Sequence, residues 1–401
     1  RDLSTLQYGN STAMPITING KVVARGDVTL KGDSINIGDN AKVYAGVANS
    51  TLDSLMYPTN SDTIASNVNT IFDTLVNTDN MNVASGFSNS NGNIVITSTT
   101  GTSIGAGAQV RNFASKGDIT ITNTGADGIS IAGEVSNPNG KTTINNTNGG
   151  LLVDTTGLIA SGNGGADSTL LVSNTGKGGM NIKGSVVAKH GNKTNTVNFV
   201  NKNSNMSIGS AGVNNNITSN ADVNILVSDG NLLNNGVTKT LIATSNGADL
   251  NATVTNGAIG KEVGPCADGV CTGVGPSGRD LTKSVNTSID GVITAKSSGT
   301  GSLINMASLN KDMNVNQIKA DGRVILLADS STKGASPYSI VNRTKDSTGK
   351  TPNVEGTGIS LIASGNVGED STALTFRQNG YSYSKVGDDA RNPHVIENIN
   401  K

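Results

Sequence analysis

From Gly117 the chain reads GDITITNTGADGISIAGEV, in which apolar and small polar residues alternate in short runs. Ile119 and Ile121 share one parity, and so do Ile129 and Ile131. The same sentence returns, altered, as GKTTINNTNGGLLVDTTGLI from Gly140 and as STLLVSNTGKGGMNIKGSVV from Ser168. In this last copy Leu171 is assigned to the inward parity of its run, and Met180 with Ile182 to that of the next. Alternation with period two is a strand signal, and Val, Ile and Thr suit strands. Gly and Asn interrupt each run because they accept the positive φ of tight turns.

Turn markers at Thr100-Gly101, Thr124-Gly125, Asn148-Gly149, Thr175-Gly176 and Asp229-Gly230, with a degenerate copy near Asn203-Ser204, set the spacing. It is about 23 to 28 residues, in the range of solenoid repeats. Two or three short strands per copy describe one turn of a parallel β-helix. Each copy is then a rung whose inward Ile, Val and Leu stack on those of the rung below. Roughly sixteen rungs, spaced about 4.8 Å apart, would make a rod about 75–80 Å long. A single rung cannot bury its own face, so neighbouring rungs stabilise one another. A sandwich array would show longer blocks with more aromatics, and a propeller repeats at about 40–45 residues. The expected fold is all-β, one elongated β-helix (β-solenoid) over 1–401 with a small helical insertion.

Four segments depart from the pattern. In 47–91 the run SDTIASNVNTIFDTLV places Ile64, Val68, Ile71, Phe72 and Leu75 at helical spacing, with Ser61 or Asp62 to cap it. This predicts a short amphipathic helix in an insertion, either a lid over aliphatic surface or a presented binding element. The zones 257–283 and 329–358 read as long loops between rungs, and 382–401 as a possible tail.

Composition supports a narrow core. The 401 residues include 51 Gly, no Trp, 6 Tyr and 5 Phe. Stacked aliphatic side chains can fill a slim interior where broad ring packing cannot. Few aromatics and much Gly also mark disorder, but here charge is balanced, with 29 basic and 30 acidic residues, and the aliphatics are patterned. A net charge of −1 gives no electrostatic draw toward nucleic acid. No run approaches the roughly 18 apolar residues of a membrane span, so no membrane insertion is expected. The chain opens on Arg1, as expected of a processed product or a piece of a longer chain.

Candidate chemistry is sparse. Cys266 and Cys271 flank Ala-Asp-Gly-Val. Their spacing suits a local disulfide in an oxidising compartment; free thiols or half a metal site are the alternatives. The only two histidines, His190 and His394, stand far apart, against a His-based relay. Sugar cleavage on a β-helix needs a carboxylate/Arg cluster on consecutive rungs of one face, and no such cluster is evident. The adjacent acidic pairs in GEDS at Gly368 and GDDA at Gly387 read as solvated turns, and GNGGAD at Gly162 misses the register of a calcium nonapeptide. No catalytic, cofactor-binding or metal residue is assigned, no cofactor is expected, and the chain is not expected to be an enzyme.

The blocks VGPCADGVCTGVGPSGRDLTKSVNT, LNKDMNVNQIKADGRVILLADS and VEGTGISLIASGNVGEDSTALTF, with the ITITNTGADGISIAGEV rung, resemble leukotoxin-like filamentous adhesins of the haemagglutinin type, exported by two-partner secretion. The resemblance covers about 91–380. It implies a right-handed β-helix shaft at the bacterial cell surface or outside the cell, working in adhesion or in an extracellular fibre. It further implies an outer-membrane transporter during secretion, and host or bacterial surface receptors or self-association as partners. NPNG at Asn137 is similar to a secretion-domain motif but is also an ordinary turn, and its companion motif is lacking. A β-helix polysaccharide-degrading enzyme and a segment of a host-directed toxin are the competing readings.

Overall fold

A computed structural model describes residues 5–8, 14–47, 91–165, 167–235, 240–260, 293–330, 337–342, 352–368, 374–378, 381–385 and 397–400. Every regular element among them is a β-strand. No helix among the described residues is long and apolar enough to cross a membrane. The residues proposed for a helix, Ser61 to Leu75, lie outside the described set. The chain forms two compact units, one comprising Arg1–Gly149, Thr156–Ser173 and Val186–Asn195, the other Gly150–Thr155, Asn174–Ser185 and Thr196–Lys401. Each is a stack of short parallel strands, a parallel β-helix.

In the first unit, one turn of chain gives strands Ile119–Asn123, Gly128–Ile131 and Glu134–Asn137. Parallel register sets Leu30 beside Ile96, Ile96 beside Ile121, and Ile121 beside Ile144, all without solvent exposure. A second column runs Val43, Val110, Val135, Ile159. Full burial of each such side chain stabilises the fold by about 1.5–3 kcal/mol, and only stacked rungs provide it.

The second unit repeats the device. Val197, Val223, Leu250, Ile304 and Val324 form one inward column; Phe199, Ile225, Ala252, Met306 and Leu326 form the next. The bulk of Phe199 and Met306 on either side of Ile225 and Ala252 keeps the column filled without rings at every level.

Polar residues continue the stacking. Asn123 Nδ2 donates to Asn146 Oδ1 at 2.7 Å, and Ser98 Oγ donates to Asn123 Oδ1 at 2.9 Å, all fully buried. In the second unit Asn174 Nδ2 donates to Asn201 Oδ1 at 2.8 Å. A buried amide is tolerable only when its donors and acceptors are met, and the neighbouring rungs meet them. Strand entrances carry a further relay. Asp27 Oδ1 accepts from Asn93 N, Asn93 Oδ1 from Asp118 N, and Asp118 Oδ1 from Lys141 N, at 2.7–2.9 Å. Asp222, Asp249 and Leu303 N do the same in the second unit.

Turn chemistry follows expectation for both residue types: Gly128, Gly149 and Gly179 take positive φ, and asparagines do so elsewhere. Positive φ falls on Asn203, Asp229, Asn256 and Asn310, not on the glycine that follows Asp229. Asn accepts this region more readily than other side-chained residues. Here it also bonds along the stack: Asn256 Nδ2 reaches Asp229 Oδ1, and Asn310 Nδ2 reaches Asn256 Oδ1, both at 2.8 Å. Gly230 is required for closeness instead, since a Cβ there would lie 1.9 Å from Ser204 O.

One parity reading changes, and three of the irregular segments contain described ladder residues. Leu171 faces outward, half-buried, while Leu170 and Val172 fill the core. Adjacent leucines fit either parity, and buried Asn174 shares the parity of Leu170 and Val172. The zone begun at 257 stays in the ladder through Gly260, with Ile259 bridging Leu232 and Met313. Within 329–358 lie strands Ile340–Asn342 and Val354–Gly356, both paired parallel to Met313–Ala320. In the last segment Tyr381–Lys385 pairs antiparallel with Leu374–Gln378 and with Glu397–Asn400.

Candidate functional site

The first unit carries a group of charged residues on one face of consecutive rungs. Lys21 pairs in register with Lys42, Lys42 with Gln109, and Gln109 with Glu134; Tyr44 pairs with Arg111. Sequence reading missed this cluster because Tyr44 and Gln109 stand 65 residues apart. That length of chain hides the adjacency, which only the register reveals.

The chemistry of the cluster is largely spent internally. Arg111 grips Glu134 with two bonds, Nε to Oε1 at 2.8 Å and Nη2 to Oε2 at 2.6 Å. Such a bidentate pair fixes the carboxylate in place. The Tyr44 hydroxyl donates to Gln109 Oε1, and its ring meets Phe113 edge-on at 5.1 Å. Burial pushes the Tyr44 hydroxyl well above its ordinary range, so it is no base at neutral pH. Burial, then repulsion from Arg111, lowers the Lys42 ammonium, while Glu134 acts against this. Lys42 Nζ donates to Gly107 O at 3.3 Å. Glycoside hydrolysis uses two carboxyl groups, and this cluster offers one, already clamped.

A second arrangement has the form of a nucleophile pair. Ser161 Oγ lies 3.0 Å from His190 Nε2, and His190 Nδ1 meets the Asn195 carbonyl. The carbonyl can only accept, so Nδ1 carries the proton and Nε2 accepts from the serine. Burial lowers the His190 imidazole, against the bond to Asn195. Ser161 has no exposed surface and His190 is 2% exposed, so a substrate cannot reach the pair. It clips the 189–196 turn to the stack. His394 lies outside the described residues, as do Cys266, Cys271 and both acidic pairs.

A cleft of about 610 Å³ opens at strand entrances of the second unit, lined among others by Asp249, Thr300, Ser302, Asp321 and Arg323. Asp249 Oδ1 accepts from Leu303 N at 2.9 Å, and Asp321 Oδ2 from Gly299 N at 3.0 Å. Both carboxylates therefore brace the backbone of the turn. Gly162 and Gly164 take positive φ in the GNGGAD turn. Among the described residues no three His, Cys, Asp or Glu side chains gather to hold a metal ion.

No family model matches the chain, and neither the curated proteins nor the solved structures yield a match.

Proposed function

We propose that this chain is a structural shaft segment of a bacterial filamentous adhesin, secreted or held at the cell surface. The observation that carries the reading is the continuity of the ladders: aliphatic, amide and Asx columns run from rung to rung and spend their polar groups on one another. Such a chain is suited to holding and spacing rather than turnover. The resemblance of its rung blocks to haemagglutinin-type adhesins supports the same reading, with export through an outer-membrane transporter and surface receptors or copies of itself as partners. Microspheres coated with the purified chain should adhere to host epithelial cells or to bacteria above microspheres coated with an unrelated β-rich protein. Equal adherence on every surface tried overturns the adhesive role.

A β-helix enzyme acting on polysaccharide is the competing reading, against which the Lys42, Arg111, Glu134 cluster stands with its one carboxylate already clamped. Depolymerisation of acidic or neutral polysaccharides by the wild-type chain, lost in Glu134→Gln with folding intact, would establish it.

A further inference from the structure

We infer that Asn148 is a self-modification site, where the main chain converts the asparagine to aspartate and isoaspartate through a cyclic imide. Seven Asn-Gly pairs are described in full: those beginning at Asn19, Asn91, Asn139, Asn148, Asn163, Asn246 and Asn256. The reaction needs the glycine amide nitrogen at the carbonyl carbon of the preceding side chain. It also needs a side chain that nothing else restrains.

Among these seven described pairs, Asn148 alone combines these conditions. Gly149 N donates to Asn148 Oδ1 at 2.9 Å, in an exposed turn, so the attacking nitrogen is already turned to the group it attacks. The other pairs are held differently. Asn139 donates to Ala114 O and accepts from Asn163. Asn163 also accepts from Gly165 N, while Gly164 N is bound to Lys189 O. Gly247 N is bound to Ser298 O. Asn256 is fixed by Asp229 on one side and Asn310 on the other. At Asn19 and Asn91 no bond from the following glycine to the side chain forms.

The step balances without oxidant or reductant. Gly149 N loses its proton and bonds to Asn148 Cγ; the Cγ–Nδ2 bond breaks and ammonia leaves. Water then adds to either carbonyl of the imide. Opening on one side gives aspartate, and on the other isoaspartate, which places an extra carbon in the main chain. Either product adds a carboxylate to a turn of neutral residues, Thr147 to Gly149. The isoaspartate also lengthens the backbone beside Gly149, where even a Cβ would stand 2.3 Å from Ala126 O. The tight packing there makes the product a local disturbance of the stack.

The test is peptide mapping of the full chain aged in mildly alkaline buffer, native and in concentrated urea. Each deamidation adds about one mass unit, ammonia being exchanged for water. Isoaspartate is read by methyl transfer from a protein-isoaspartate methyltransferase. In the native chain the Asn148 peptide should be modified several-fold faster than any of the other six, and in urea the ratio should fall toward one. Asn148→Ser should remove most of the native-state methyl acceptance of these seven peptides while leaving the melting temperature unchanged. A native chain in which another pair reacts as fast as Asn148 overturns the assignment. So does a ratio that urea leaves unchanged, since sequence and not fold would then set the rate.

Discussion

Ile121 stands between Ile96 and Ile144 with no exposed surface, while Thr122 beside it faces outward and is half-buried. Ile121→Asp places an unpaired charge in the stack and should cost several kcal/mol in urea unfolding. Thr122→Asp should cost under about 1 kcal/mol, as outward substitutions usually do. Equal losses would refute the inward assignment. Asn123→Leu takes one buried bond from Asn146 and one from Ser98, which keeps its bond to Thr102. Each lost bond costs about 0.5–1.5 kcal/mol, so the leucine should destabilise despite its greater apolar area. His190 gives a pH signature. Burial lowers its folded pKa below the unfolded value of about 6.5. The unfolded chain therefore binds the proton first as pH falls. Stability from this site is complete above about pH 6.5 and declines as pH drops from there toward the folded pKa. Thermal melting of wild type against His190→Gln should show the two curves converging or crossing as pH falls through that window. A constant gap would mean that His190 keeps its ordinary pKa in the fold.

At the scale of elements, the clamp between Arg111 and Glu134 joins two neighbouring strands, with side-chain exposures of 17% and 18%. Arg111→Ala or Glu134→Ala should each cost about 1–3 kcal/mol, because a mostly buried charge loses its bidentate counterpart. In a double-mutant cycle the pair should show clear coupling; additive losses would show that the geometry carries no energy. For the loop bearing Cys266 and Cys271, mass measurement before and after reduction should differ by about two hydrogens if the bridge exists. Labelling of both thiols in the unfolded, unreduced chain would rule it out. The strands themselves were legible in the alternation of Ile119, Ile121, Ile129 and Ile131, since a half-buried strand must segregate its faces. Leu171 was misplaced because LLV offers no polar residue to mark the outward side. The charged cluster was illegible for a different reason: alternation reports which face a residue takes, never which rung it sits beside. Tyr381–Lys385 and Glu397–Asn400 lacked a repeat to betray them because they leave the parallel scheme for antiparallel pairing.

Across the whole molecule, the register does not notice how much chain separates two rungs. Asn198 and Asn224 bond at a separation of 26 residues, and Tyr44 and Gln109 bond just as directly at 65. Circular dichroism of the full chain should accordingly be dominated by strand, with at most a minor helical signal, and a mainly helical spectrum would contradict the fold. Closing a longer excursion costs only about 0.6 kcal/mol for each doubling of its length. The ladder thus fixes its own register: Lys42 to Ala45 meets Gln109 to Asn112 by the same bonds whatever length of chain lies between them. A foreign peptide spliced between Val47 and Asn91 should accordingly leave that pairing intact, which makes the stretch a place to test display at low risk to the rungs on either side.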